Sequence, residues 1–269
     1  MTFRTPHVLL ALVLSASVAG AYEACPPSDC NDGNLCTTDA CVGGFCTHTP
    51  NVAACGPLQT FVLRAKKLKL RIPPSAPDRN GVRMLVTEGE LKKENLPKPF
   101  EVGDTFTSDP YQKGGSLRIF TNMGDHFDKV YPLPFEGPVN RHWEYYPLFT
   151  SDPDANNGYQ YKDAFNDSSP IGVVKIIAGT TMKLKGKDNM AFTLNTDPRP
   201  VNVVLTLGNY KYCFEMNGGP DFRSNFVSPK IVWAKNADAP PACPCNQNAD
   251  CDDGDAGNGS EACVGGYCQ

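Results

Sequence analysis

The sequence is short of the features on which several classes of protein depend. Its 269 residues include only four histidines and two tryptophans, and no apolar stretch approaches the ~20 uncharged residues of a membrane-spanning helix. Neither sign of charge dominates, since the chain has 25 Lys and Arg residues and 29 Asp and Glu residues, for a net charge of −4. The whole chain therefore lacks the basic footprint of a nucleic-acid-binding protein, and we expect no nucleic-acid partner.

A recognisable catalytic motif is also missing. The chain contains no H-E-x-x-H zinc motif and no G-x-S-x-G nucleophile motif. A metal site or a general base could in principle come from Asp125, His126 and Asp128, with His142 further along. These residues are equally well explained as ordinary polar residues of a hairpin loop. We predict a non-enzymatic protein without a cofactor, and a secreted hydrolase using Asp125 and Asp128 is the less favoured alternative.

Helical periodicity is almost absent. The 24 Gly and 24 Pro break the chain into short pieces, while a hydrophobic content of 41% is enough for a sizeable core. Apolar and basic residues alternate over 67–72, the pattern of a half-buried strand. Residues 61–65 keep the opposite phase, which predicts a bulge near Lys66.

Further strands are predicted by the same pattern, and turn signals such as Asn80-Gly81 and Gly208-Asn209 separate them. Their expected bounds are 82–87, 116–122, 129–133, 158–161, 172–177, 182–185, 190–194, 201–207, 210–216 and 229–234. An α/β sheet would need amphipathic crossover helices, and only residues 88–94 could form a helical turn. The predicted fold class is mainly β, with an antiparallel β-sandwich body over residues 59–240.

The first 21 residues have the features of a secretory signal peptide. Arg4 gives a weakly positive start, an apolar run follows over 8–19, and Ala19-Gly20-Ala21 is a small-x-small cleavage pattern. We therefore expect residues 1–21 to be removed and the mature chain to be secreted, either extracellular or at a cell surface.

Cysteines divide the mature chain into two clusters around a cysteine-poor body. An even number of closely spaced cysteines in an exported chain predicts disulfide bonds, and zinc is disfavoured because C-x-x-C is not repeated. We predict an N-terminal module over 22–58 and a C-terminal module over 241–269. The expected half-cystines are Cys25, Cys30, Cys36, Cys41, Cys46, Cys55, Cys213, Cys243, Cys245, Cys251, Cys263 and Cys268.

The two clusters contain an internal repeat. The sequence C-N-D-G-N from Cys30 recurs as C-D-D-G-D, and C-V-G-G-F-C recurs as C-V-G-G-Y-C at the end of the chain. Aligning the copies leaves Cys36 and Cys55 without counterparts, so we expect these two to pair. Cys213 and Cys243 then form a bridge between the body and the C-terminal module. The other four cysteines of each module have three open connectivities.

At these residues the chain resembles a known type of repeat. The pattern C-x-D-G-N-x-C-T-x-D-x-C, which begins at Cys30, looks like a short Cys-rich repeat of secreted and surface proteins of Gram-negative bacteria. That resemblance implies a bacterial source, export and extracellular display, and it brings no catalytic residues. Residues 66–88 and 172–215 are similar to β-rich domains of unassigned activity that accompany such repeats.

Two acidic segments in the modules resemble the start of calcium-binding loops. Clustered carboxylates and a turn-forming Gly suit a hard cation, but the glycine stands one position early for an EF-hand loop. Side-chain-capped turns explain the same residues, so calcium stays an open alternative. The candidate metal ligands are Asp29, Asn31, Asp32, Asp250, Asp252 and Asp253.

Aromatic residues concentrate between positions 127 and 165, among several Asp and Asn residues. Exposed rings with polar neighbours could bind sugar, and the candidate platform is Trp143, Tyr145 and Tyr146. The alternative is that these rings fill the core of the sandwich.

Basic stripes occur over residues 64–71 and at Lys183, Lys185 and Lys187. They could attract acidic polysaccharide, or they could simply form a solvated strand face. We predict a secreted, non-enzymatic structural, adhesion or ligand-display protein, and a carbohydrate-binding module is the alternative. The expected partner is a polysaccharide or another surface protein, and no membrane span is expected.

Overall fold

The fold is taken from a computed structural model. It describes residues 25, 30–42, 44–73, 80–86, 91–99, 107–122, 127–135, 142–146, 157–163, 169–187, 190, 192–217, 221–227, 229–255, 257 and 259–269. The predicted signal peptide, Asp29, Asp125 and His126 lie outside these residues. Within them, no helix has the length and apolar character needed to cross a membrane.

Strands dominate the described residues. They are β1 (Thr37–Val42), β2 (Phe45–Pro50), β3 (Gln59–Val62), β4 (Ala65–Ile72), β5 (Gly81–Val86), β6 (Gly115–Thr121), β7 (Asp128–Leu133), β8 (Trp143–Tyr146), β9 (Gly158–Lys162), β10 (Ile171–Ile177), β11 (Thr181–Lys187), β12 (Val201–Leu207), β13 (Tyr210–Met216), β14 (Arg223–Asn225), β15 (Lys230–Lys235), β16 (Cys263–Val264) and β17 (Tyr267–Cys268). The helical elements are single turns, namely α1 (Val52–Cys55), α2 (Pro110–Lys113) and 3₁₀ turns at Lys93–Asn95 and Asn248–Asp250.

Two sheets form the body. The larger has eight strands in the order β14-β15-β4-β5-β11-β10-β9-β8, and the smaller has five in the order β3-β13-β12-β6-β7. Neighbouring strands are antiparallel except for β3 and β13, which are parallel. Buried side chains of both sheets, such as Leu70 and Leu205, belong to one apolar cluster between them. The predicted fold class, a mainly antiparallel β-sandwich flanked by disulfide-rich modules, is confirmed.

Local sequence explains why these segments form strands where they do. In β4 the alternation buries Leu68 and Leu70 and leaves the intervening basic residues outward, and the predicted bulge occurs between Ala65 and Lys67. The turn between β12 and β13 needs Gly208, whose φ is +55°. A Cβ there would lie 2.2 Å from the carbonyl oxygen of Ser108, so only glycine fits.

One predicted strand is absent from the structure, and two strands of the larger sheet were not predicted. Residues 190–194 were expected to form a strand, yet the described ones, Met190 and Phe192–Leu194, are in no sheet. Side chains from distant parts of the chain bind the backbone of this segment instead. Tyr131 donates its hydroxyl to the carbonyl of Met190, and Asn80 donates its amide to the carbonyl of Phe192 at 3.1 Å. Conversely, β8 and β14 were not predicted as strands, since segments of three or four residues carry little periodicity.

The disulfide bonds follow the internal repeat. Both predicted bonds, Cys36–Cys55 and Cys213–Cys243, are present. In each module the remaining four cysteines pair first with third and second with fourth. These bonds are Cys25–Cys41, Cys30–Cys46, Cys245–Cys263 and Cys251–Cys268.

Both modules pack on the outer face of the five-stranded sheet. Asn34 of the N-terminal module donates its amide to the carbonyl of Gly208 at 2.8 Å. The C-terminal module buries the Cys213–Cys243 bond against Phe120 and Val204. The modules therefore cover one side of the sandwich and leave the outer face of the eight-stranded sheet exposed to solvent at alternate positions.

Candidate functional site

The two described side chains of the predicted aromatic platform, Trp143 and Tyr145, do not form an exposed surface. Trp143 is fully buried, and its indole nitrogen donates to the carbonyl of Leu133 at 3.1 Å. Tyr145 donates its hydroxyl to Asp109, and its ring stacks on Tyr111 at 5.2 Å between centroids. Trp143 therefore lies in the core and the partly buried Tyr145 packs against it, so neither provides the exposed ring that the sugar-platform prediction requires. The side chain of Tyr146 lies outside the described residues.

The carboxylates proposed as calcium ligands are used locally. Asn31 and Asp32 accept backbone hydrogen bonds from residues two positions later, at 2.8 and 2.9 Å. Asp252 and Asp253 accept equivalent bonds, both at 2.8 Å, in the other module. These are side-chain-capped turns, the alternative interpretation of both segments. Calcium binding itself stays a prediction.

Apart from groups of disulfide-bonded cysteines, two groups of described side chains place possible ligand atoms within 4.8 Å of one another, close enough to share a cation. One consists of Asp32, Asp39 and His48, and the other of Asp252, Asp253 and Glu261. Each group lies within one module. Asp250, another candidate ligand, instead pairs with Arg118 at 2.6 Å.

A cleft, here called the module cleft, lies where the modules meet the five-stranded sheet. His48, Arg118, Lys211 and Asp250 line it, together with Asp32. Burial lowers the pKa of Lys211 to about 8, and its ammonium donates to the carbonyl of Asp250. The sheet and both modules thus each contribute charged groups to this cleft.

Arg118 is the centre of the charge network in the module cleft. Its guanidinium binds both carboxylate oxygens of Asp128, at 2.8 and 2.6 Å, and also pairs with Asp250. Asp250 belongs to the C-terminal module, so Arg118 ties that module to the sheet. Because Asp128 is held bidentately, it is poorly placed to act as the base of the alternative hydrolase.

Asp32, Asp39 and His48 lie close together in the N-terminal module, and Asp32 and His48 line the same cleft. The Nδ1 atom of His48 lies 2.9 Å from Asp39 and 3.7 Å from Asp32. Burial, with the nearby charge of Asp39, raises the pKa of Asp32 to about 6. Burial alone would lower the pKa of His48, but the hydrogen bond to Asp39 and the charge of Asp32 raise it above its usual value.

The other candidate site is the outer face of the eight-stranded sheet, here called the basic face. Lysine or arginine occurs in every strand of this sheet except β8, and Glu144 of β8 is the sole acidic residue in its strands. Glu144 lies at the edge of the sheet and pairs with Lys162 at 3.3 Å. The described basic face comprises Lys67, Lys69, Arg71, Arg83, Lys175, Lys183, Lys185, Arg223, Lys235 and, among them, Trp233.

Strand register places like charges directly opposite one another on the basic face. Arg83 lies between Lys69 on one neighbouring strand and Lys185 on the other. No carboxylate of the described chain is within salt-bridge distance of these three side chains. Directly opposed like charges destabilise a sheet by a few tenths of a kcal/mol each. The same opposition recurs in the pairs Lys67–Lys235 and Lys175–Lys183.

Trp233 lies at one end of the basic face, where three cations surround its ring. The ammonium of Lys235 is 4.3 Å from the ring centroid, and Lys67 and Arg223 are each 5.5 Å away. Cations in this position are attracted to the negative face of an indole. Its indole nitrogen is shielded from solvent and has no hydrogen-bond acceptor among the described residues.

Sequence reasoning found only part of this site. It identified the stripes on β4 and β11 but not Arg83, Lys175 or Trp233. An available signal was that these residues alternate with buried ones within their strands. What the pattern could not give is the order of strands in the sheet.

Comparison with known proteins leaves the function to be argued from these surfaces. No protein family model matches the chain, and no curated protein or solved structure is significantly similar to it. The resemblance of the Cys-rich segments to bacterial surface repeats stays a prediction.

Proposed function

We propose that this protein is a secreted, non-enzymatic adhesion or ligand-display protein that binds linear polyanions through the basic face. One observation carries the proposal, namely the opposed like charges of the basic face. Because Arg83 lies between Lys69 and Lys185, repulsion between these cations lowers the stability of the sheet. Departures of this kind from the rules of stable sheets are typical of functional surfaces.

Charge segregation supports the same conclusion. The whole chain has a net charge of −4, and residues 22–58 and 241–269 contain acidic residues but neither Lys nor Arg. Both of these modules pack on the five-stranded sheet, opposite the basic face. A polyanion is therefore repelled from one side of the molecule and attracted to the other, which directs its approach.

The disulfide modules fit a role in display rather than catalysis. All twelve cysteines are paired, and one bond joins the C-terminal module to β13. Such cross-linking suits an oxidising, extracellular compartment and agrees with the predicted signal peptide. The modules brace one sheet and leave the outer face of the other accessible.

Retention on an immobilised sulfated polysaccharide tests the proposal. In a salt gradient the wild-type protein should bind, and Lys69→Gln/Arg83→Gln/Lys185→Gln should elute at much lower salt. Each cation near an anionic surface contributes about 1 kcal/mol, so we expect at least a tenfold loss of affinity at physiological salt.

A matched variant separates the basic face from total charge. Lys92→Gln/Lys98→Gln/Lys129→Gln removes the same charge from exposed positions outside the eight-stranded sheet. It should elute close to the wild-type protein. Equal displacement of both variants, or no retention of the wild-type protein, would contradict the proposal. Sedimentation of the unbound protein shows whether the basic face instead binds the acidic modules of a second copy.

A further inference from the structure

We propose that Trp233 is a sugar-ring subsite within the basic face, so that the polyanion bound there is an acidic polysaccharide. The inference rests on the proposed function, because the cations around Trp233 belong to the same face. It adds the chemical class of the ligand and a residue that recognises it.

The position of Trp233 suits a ring within a charged chain. It points outward from β15, directly opposite Lys69 on β4 and Arg223 on β14. Adjacent strands are about 4.8 Å apart, so cations lie one strand away on either side of the indole. A sugar stacked on the indole would place its own charged group, or that of the next unit, beside these cations.

The indole nitrogen provides a second, independent observation. It is shielded from solvent without an acceptor among the described residues, although buried indole N–H groups normally have one. The three cations lie close around the ring that carries this nitrogen. A ligand carboxylate or sulfate that draws Lys67 or Lys235 off the ring would uncover both the indole face and a donor for a sugar oxygen.

A sugar polymer fits this arrangement better than a nucleic acid does. Proteins that bind single strands stack successive bases on several aromatic side chains. Among the outward side chains that the structure describes in this sheet, Trp233 is the sole aromatic one. A single aromatic ring surrounded by cations suits an acidic polysaccharide, in which most sugar units are charged and one unit stacks on the ring.

The experiment titrates the full, disulfide-bonded protein with probes that share charge but differ in rings. The probes are a polyuronate, inorganic polyphosphate of similar charge, oligo(dT) and neutral dextran. Trp143 is fully buried, so a change in tryptophan emission on binding reports Trp233. Polyuronate should change the emission, whereas polyphosphate should bind without a comparable change and dextran should not bind.

Variants at position 233 sharpen the result. Trp233→Leu should weaken polyuronate binding at least tenfold and change polyphosphate binding less than twofold, and Trp233→Tyr should retain most of the polyuronate affinity. Equal losses for both polymers, or no loss for either, would overturn the subsite. A larger loss for oligo(dT) than for polyuronate would assign the ring to nucleic acid and also overturn it.

The same titration separates this inference from the proposed function. If polyphosphate and polyuronate bind equally well and Trp233 emission does not respond, the basic face stands and the subsite is wrong. If neither polymer binds the wild-type protein, the proposed function fails, and the subsite fails with it.

Discussion

The two outer faces of the sandwich differ in how their charged side chains are paired. On the five-stranded sheet Arg118 is 17% exposed and pairs with two carboxylates, one of them supplied by the C-terminal module. On the eight-stranded sheet Arg83 is exposed and faces two lysines across the neighbouring strands. The disulfide-bonded modules cover the first face, and they leave the second exposed to solvent.

This difference indicates how stability and binding are divided in the molecule. Disulfides, apolar contacts and paired charges stabilise the five-stranded sheet, which the modules cover. Their contribution offsets the repulsion between like charges on the basic face, here also called the open face. A ligand that neutralises the basic face would relieve that repulsion without disturbing the modules.

Removing the bond between the C-terminal module and the covered sheet should have the largest effect on stability. We expect Cys213→Ala/Cys243→Ala to lower the free energy of unfolding by about 3 kcal/mol, because the bond closes a long loop and both half-cystines are buried. Urea unfolding of the oxidised protein measures the change. If the midpoint is unchanged, the covered face does not depend on covalent attachment.

The two arginines provide a direct comparison between the faces. Arg118→Gln should destabilise the protein by about 2 kcal/mol, since Asp250 is left in the module cleft without its cation. Arg83→Gln, the same substitution on the open face, should change stability by less than about 0.5 kcal/mol. Thermal unfolding of both variants gives the difference. Equal destabilisation would show that the open face is also held by its charges.

Protonation should stabilise the N-terminal module. The folded protein raises the pKa of Asp32 to about 6 and also raises that of His48. The native state therefore binds more protons than the unfolded state, and stability falls as the pH rises through about 6 and above 6.5. Lys211, whose pKa burial lowers to about 8, begins to lose its proton at the upper end of the interval from pH 5 to pH 8, where it opposes this trend. From pH 5 to pH 8 we expect a loss on the order of 2 kcal/mol.

Substitution of Asp32 tests the origin of that pH dependence. Asp32→Asn keeps an oxygen to accept from the amide of Asn34 but cannot ionise, so its urea midpoint should vary less between pH 5 and pH 8. Asp253, the matched residue in the second copy of the repeat, is grouped with Asp252 and Glu261 but with no described histidine. Asp253→Asn should therefore keep the wild-type pH profile. An unchanged profile for Asp32→Asn would assign the dependence to other groups.

The smallest effect concerns the open face itself. Lys69→Gln/Arg83→Gln/Lys185→Gln, which should abolish most polyanion binding, should leave the protein equally stable or more stable by a few tenths of a kcal/mol. The gain should shrink as salt is added, because salt screens exposed charges. Denaturation at low and high salt measures both effects. Marked destabilisation would mean that these side chains serve the fold instead.

Sequence pattern predicted most of the strands and the mainly β class because alternation reports burial directly. It placed β12 and β13 at their observed bounds and the bulge next to Lys66. It failed at residues 190–194, where side chains from distant parts of the chain bind the backbone. It also offered Trp143 as a binding residue, since an aromatic residue has the same appearance in a core and on a surface.

Local pattern and comparison of one segment with another were enough to predict most of the strands, the two copies of the Cys-rich repeat, and the pairs Cys36–Cys55 and Cys213–Cys243. These features depend on neighbouring residues or on comparison of one segment with another. In contrast, the sequence did not show that β4, β5, β11 and β10 lie side by side, or that both modules cover the opposite sheet. The physical reason is that strand order arises from long-range pairing and from burial shared between sheets, which no single segment encodes.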